Sequence, residues 1–294
     1  MPLDNSNLII EKELDAHLRA FEKVLGADVL AFVGPIMYGI DDAIKEAITR
    51  VKKRRAKLAV VLQTEGGYIA VVERIVNTMR HHYAHVDFFV PNYAFSAGTV
   101  LVMSGDAIFM DWYSVLGPID PQVERPGEKE KLVPALGYLI QFDRLMEKSK
   151  AGELTTAEMA FLIEKFDPAE LYRYEQDTQL SISLLEEWLA KYKFKDWKQT
   201  ETRKLDVSDI MKKERAKQIA AKLNDTEIWH SHGRGISMAR LRRDLNLRID
   251  DFSADAKLEP KLRAYYGLLM DYMIRRRHSC IVHTNGFYLP LLEG

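Results

Sequence analysis

Between residues 28 and 110 the chain alternates short apolar runs with segments of helical spacing, and few folds accept that pattern. The runs are Asp28 to Gly34, Lys57 to Gln63 (KLAVVLQ), Val86 to Val90 and Ala107 to Met110. Each is short, rich in β-branched or aromatic residues, and closed by Gly, Pro or a polar residue, as buried strands are. Between them, Ile40, Ala43, Ile44, Ala47, Ile48 and Val51 recur at helical spacing, and so do Ile69, Val72, Ile75, Val76 and Met79. The apolar segment Thr99 to Ser104 is too short to decide between helix and strand. Strand–helix alternation implies right-handed crossovers and a mainly parallel sheet covered on both faces. Ligands of such sheets collect at the carboxyl ends of the strands.

Two small-residue clusters fall on that rim. Thr64-Glu65-Gly66-Gly67 follows one strand, and Ala94-Phe95-Ser96-Ala97-Gly98-Thr99 follows another. A serine between a strand and an apolar helix stands where a nucleophile belongs. The start of a helix offers free backbone N–H groups to developing negative charge, and small neighbours let a substrate backbone come close.

Composition narrows the partners. The 42 basic and 43 acidic residues nearly cancel, so no overall field for nucleic acid or membrane is expected. The single cysteine, Cys280, excludes an intrachain disulfide and fits a reducing compartment. No apolar stretch reaches the roughly 20 residues of a transmembrane helix, and the N-terminus lacks a signal-peptide pattern. The expectation is a cytoplasmic protein. No Gly-x-Gly-x-x-Gly follows a strand and no ligand set surrounds His230-x-His232, so neither a cofactor nor a metal is expected.

The remaining chain reads as three parts: an N-terminal arm over 1–25, the core over 26–132, and a largely helical extension over 133–294. In the last part, Thr155 to Glu158 fits a capping box, Asp167-Pro168 opens a long helix toward Lys191, and Ser208 to Leu223 is another helix. A further short helix runs from Ser237 to Leu245, the last long one from Glu259-Pro260 to Arg277, and Cys280 to Thr284 is a candidate edge strand. The basic run Lys52 to Arg55 reads as a solvated helix end.

At Thr64 to Gly67 and Ala94 to Thr99 the chain resembles the serine dehydrogenase proteinase family of the Clp-protease/crotonase superfamily, related to signal peptide peptidase A. The resemblance continues through Leu116-Gly117-Pro118-Ile119-Asp120-Pro121-Gln122, Gly137-Tyr138, Tyr174-Glu175-Gln176 and Trp229 to Ile236. It implies an α/β fold, a Clp/crotonase-like spiral of ββα units, a serine peptidase site, a peptide or protein substrate and assembly into a homo-oligomer. Ser96 matches the nucleophile, and the backbone around Gly66, Gly67 and Ala97 matches the oxyanion hole. Two fixed N–H donors aimed at a tetrahedral oxyanion are worth a few kcal/mol, and paired glycines can turn such donors outward. One departure stands out: Glu65 occupies the place where the family usually carries proline, and a carboxylate there opposes developing negative charge.

The serine also needs a proton acceptor. Ser114 to Gln122, the region where the resemblance to the Clp proteolytic subunit would place a histidine, contains none, and the related signal peptide peptidases use lysine, whose pKa must then be lowered. Lys129, Lys131, Lys148 and Lys150 are the candidates; Lys148, at 148 − 96 = 52 residues past the serine, is preferred by that resemblance. Asp120, His232 and Arg234 are candidates for ordering the site. Two other readings remain open from sequence: a crotonase-like acyl-thioester enzyme with Glu65 as acid–base, and a non-catalytic scaffold.

Overall fold

The computed structural model describes the backbone of residues 2–120, 122–125, 128–200 and 202–293, and the side chains of 6–120, 137–200, 202–225 and 227–291. In chain order the elements are α1 (Pro2–Leu25), β1 (Asp28–Val33), α2 (Ile40–Arg50), β2 (Lys57–Gln63), α3 (Ile69–His82), β3 (His85–Phe89), β4 (Tyr93–Ala94), α4 (Ala97–Met103), β5 (Ala107–Met110) and β6 (Val115–Leu116). They continue as β7 (Gln122–Arg125), β8 (Glu128–Pro134), α5 (Ala135–Lys150), α6 (Thr156–Lys165), α7 (Pro168–Trp188), α8 (Asp209–Asn224), α9 (Thr226–Trp229) and β9 (Ile236–Ser237). The last elements are α10 (Met238–Asp244), β10 (Asp250–Asp251), α11 (Leu258–Arg276), β11 (His278–Thr284) and β12 (Phe287–Glu293).

Among the described residues the main sheet runs β10-β5-β3-β2-β1-β11-β12. The members from β10 to β1 are parallel, and β11 and β12 are antiparallel additions. Side-chain alternation explains why the strands look apolar throughout. In β1, Leu30 and Phe32 enter the core under α2, α3 and α4, while Val29, Ala31 and Val33 enter the opposite core with α1 and α11. β2 divides in the same way, Leu58, Val60 and Leu62 against Ala59 and Val61. The fold is the α/β class expected.

Several boundaries differ from the sequence reading, each for a local reason. The stretch read as an N-terminal arm buries Leu14, Leu18 and Phe21 completely against the sheet and α11. α2 stops at Arg50, and the basic run beyond it folds back: Arg54 Nη2 donates to the Ile48 carbonyl at 3.1 Å, satisfying an open helix end. β11 is not an edge, because β12 pairs with it and carries Pro290 at the true edge. The hairpin of β7 and β8 was not anticipated. The caps at Thr155, Asp167 and Ser208 form as their residue types require.

A small sheet, β4-β6-β9, positions the site. β4 and β6 run parallel and β9 antiparallel to β6, with Ala94 opposite Leu116 and Leu116 opposite Ile236. The chain therefore leaves β4 toward Ser96, leaves β6 toward Asp120, and enters β9 from His232, all at one end of that sheet. The opposite, amino-terminal rim of the main sheet carries an ion-pair knot instead. There Asp87 meets Lys57 and His85, while Asp106 meets Arg80 at 2.7 Å and Lys195.

Candidate active site

Ser96 occupies the N-cap position of α4 but does not cap it. Its backbone sits at φ 54°, ψ −122°, a region that costs a non-glycine residue about 1–3 kcal/mol and persists only when its surroundings impose it. The surroundings are visible. Phe95 N–H donates to the Thr64 carbonyl at 2.9 Å, and Gly98 N–H donates to the Phe95 carbonyl at 2.8 Å. Thr99 Oγ1 lies 2.9 Å from the carbonyl oxygens of both Ala94 and Gly117 and accepts from Gly117 N–H at 3.1 Å. Thr99 thus clamps the serine turn to the strand that leads to Asp120. Ser96 is half-buried, and among the described residues nothing hydrogen-bonds its hydroxyl.

The glycine pair is fitted to this turn. Gly66 has φ 100°, and a Cβ there would lie 2.8 Å from Ser96 Cβ and 2.7 Å from the Phe95 carbonyl oxygen. Gly67 has φ 146°, and a Cβ would come within 2.0 Å of the Ile36 carbonyl oxygen. The strand-like bridge from Ile36 uses the Gly66 carbonyl and the Tyr68 N–H. That leaves the Gly67 N–H without a partner among the described residues, on an exposed residue. Ala97 N–H, in the first turn of α4, has none either. The expected oxyanion-hole groups and the serine therefore lie together, with Gly66 in contact with Ser96.

Asp120 and His232 are brought together although 112 positions separate them, as 232 − 120 shows. His232 Nδ1 stands 3.0 Å from Asp120 Oδ1, with side-chain exposures of 11% and 1%. The contact is one of ion-pair distance: among the described residues neither Asp120 oxygen nor His232 Nδ1 makes an aligned hydrogen bond. Arg234 does not touch this pair. Its Nη1 donates to the Trp229 carbonyl at 3.2 Å, while Trp229 Nε1 donates to the Lys222 carbonyl at 2.7 Å. Arg234 thus closes the loop that presents His232.

The structure places the expected lysine on the exposed last turn of α5. Lys148 Nζ lies 2.6 Å from Glu158 Oε1 on an exposed surface. That bond and its charge raise the lysine pKa, the reverse of what a base requires. Lys150 pairs with Glu147 at 2.7 Å and is likewise shifted up. The α5–α7 helices carrying these residues have a small core of their own around Tyr138, Phe142, Phe166 and Tyr174. The side chains of Lys129 and Lys131 lie outside the described residues.

Sequence reasoning missed a polar network beside the serine. Tyr93 OH donates to Glu65 Oε1 at 2.5 Å, Asn92 Nδ2 donates to Gln63 Oε1 at 3.1 Å, and Tyr266 OH donates to the same oxygen. Gln63 Nε2 reaches Tyr93 OH at 3.5 Å. The available signal was Gln63 itself, a buried amide ending an otherwise apolar strand. A surface groove lined by Asp42, Lys45, Glu46, Thr49 and Arg50 lies on α2, and none of the site residues lines it.

A strained serine, a glycine pair and two amides without partners among the described residues thus lie together at the carboxyl rim of a parallel sheet. Residues 23–131 match the family model of ClpP-like SDH-type serine proteinases. Two uncharacterized proteins of Methanocaldococcus jannaschii are similar. One is 34% identical over 74 residues, which is 25% of this chain and 26% of the relative. The other is 30% identical over 120 residues, 39% and 41% of the two chains. The matched segments thus span less than half of these relatives. Solved structures similar to the chain include two variants of a membrane-bound stomatin-specific protease. A serine-to-alanine variant has TM-score 0.45 and 12% identity, covering 76% of this chain and 77% of that one. A lysine-to-alanine variant with a substrate peptide has TM-score 0.46 and 13% identity, covering 90% and 85%.

Proposed function

We propose that the protein is a serine peptidase in which Ser96 attacks the carbonyl carbon of a peptide bond. The observation that carries this reading is the conformation of Ser96, imposed at energetic cost while its hydroxyl makes no hydrogen bond among the described residues. As the bond to carbon forms, the carbonyl oxygen gains negative charge and receives hydrogen bonds from Gly67 and Ala97 N–H. His232 takes the hydroxyl proton, and Asp120 holds the ring through Nδ1, leaving Nε2 as the acceptor. The same proton goes to the departing amine, and water then releases the acyl group from Ser96. Two features support His232 over Lys148: the buried partner 3.0 Å from its Nδ1, and the shared end of the small sheet from which Ser96, Asp120 and His232 emerge. His232 and Ser96 are not hydrogen-bonded to each other here; such contacts commonly tighten when substrate docks.

The test is labelling of Ser96 by a serine-reactive phosphonate, together with peptide turnover. Ser96→Ala should lose both, and unchanged turnover would remove the mechanism. His232→Gln should slow labelling by about 100-fold or more, whereas Lys148→Met should not. Loss of labelling in the lysine variant alone would return the base to Lys148. The protein is further proposed to act as a homo-oligomer, supported by Trp112 and Tyr113, which stand 78% and 59% exposed after β5.

A further inference from the structure

We propose that Glu65 selects substrates bearing a positive charge beside the scissile bond. This rests on the reading of Ser96 as nucleophile and adds the chemical class of what it cleaves. Glu65 is exposed and immediately precedes Gly66, the residue in contact with Ser96. A freely turning carboxylate would swing into water and matter little. Glu65 does not turn freely, because Oε1 accepts the Tyr93 hydroxyl at 2.5 Å. Tyr93 is anchored in turn: its ring stacks on Phe95 at 5.3 Å, and its oxygen is within reach of Gln63, which Asn92 and Tyr266 hold. Burial, and then the Glu65 bond, raise the Tyr93 pKa well above its ordinary value, so this donor persists over the working pH range.

Among the described residues no lysine, arginine or histidine pairs with Glu65. A fixed carboxylate with no cationic partner among the described residues, next to the oxyanion donors, opposes the charge that develops in the transition state. A substrate ammonium or guanidinium removes that opposition by pairing with Glu65. The cation then contributes to the rate as well as to binding, since its partner's repulsion would otherwise grow along the reaction. A lysine or arginine side chain and a free substrate amino terminus share this chemistry.

The experiment uses the full chain and peptide phosphonates that label Ser96, capped at the amino terminus and carrying lysine, norleucine or glutamate next to the phosphorus. A fourth probe carries norleucine and a free amino terminus. Second-order labelling rates are read by mass spectrometry. The wild type should prefer lysine over norleucine by about tenfold, the scale of one unit charge a few ångströms away in partly solvated surroundings. Glutamate should be slowest, and the spread should narrow at high salt. In Glu65→Gln the rates should converge, with the norleucine probe faster than in the wild type; Tyr93→Phe should give an intermediate spread. A free-amine probe that outpaces the lysine probe assigns the cation to the substrate terminus and supports the proposal. Equal rates for all charges in the wild type overturn it while leaving Ser96 as nucleophile. No labelling of Ser96 by any probe overturns both.

Discussion

Gly67 shows how one residue can join strain, space and chemistry. Its φ of 146° and the 2.0 Å that would separate an added Cβ from the Ile36 carbonyl oxygen exclude any side chain. The backbone is thereby fixed, and its N–H has no partner among the described residues. Gly67→Ala should lower the melting temperature and reduce phosphonate labelling of Ser96 by about 100-fold, the usual cost of losing one oxyanion donor. Labelling at the wild-type rate would show that this amide is not used. Ser96 is the complementary case. Its type and its small neighbours were legible in the sequence, but its φ of 54° is not written in them. That conformation arises from Thr64 and Thr99, whose bonds cross from one strand end to another.

At the scale of elements, α7 passes into a short π-helical turn, Leu189–Lys193, that brings Lys193 toward Asp250, Arg248, Asp87 and Asp106. Burial pulls its pKa down to about 8, and the nearby carboxylates only partly offset this. The folded pKa lies below the ordinary 10.5, so the charged amine costs stability below about pH 8, and the cost fades as pH rises toward 10.5. Lys193→Met should therefore stabilise the protein at pH 7 by about 1 kcal/mol, discounted for partial solvation, and the gain should vanish above about pH 10. Denaturant titrations at the two pH values measure it; equal gains at both would mean that packing, not charge, is responsible. α1 teaches a different lesson. Its leucines are spaced for one buried face, yet nothing local tells whether that face meets the domain or solvent. Only the presence of α11 beside it settles that Leu14, Leu18 and Phe21 are core.

For the whole molecule, the two ends of the sheet have different work. The amino-terminal rim is neutralised by the Asp87 and Asp106 pairs. The carboxyl rim carries the serine turn, the glycine pair and exposed aromatic rings, among them Tyr38 and Tyr68 with centroids 4.8 Å apart. If Trp112 and Tyr113 form a subunit contact, Trp112→Asp should lower the mass measured by light scattering after gel filtration. A wild-type mass equal to one chain would end the oligomer proposal. Among the described residues no helix is long and apolar enough to cross a membrane.

The sequence alone determined the parallel core, because alternating apolar runs and helical spacing bury both sheet faces in only a few ways. It also determined where the serine and the glycines would fall, because residues past a strand's carboxyl end are local to that strand. It could not determine the partner of His232. Asp120 meets it through two strand pairings, Leu116 with Ala94 and with Ile236, and such pairings are a property of the packed sheet. Nor could spacing decide the fate of Lys148. A lysine's basicity depends on the charge beside it, and folding set Glu158 there.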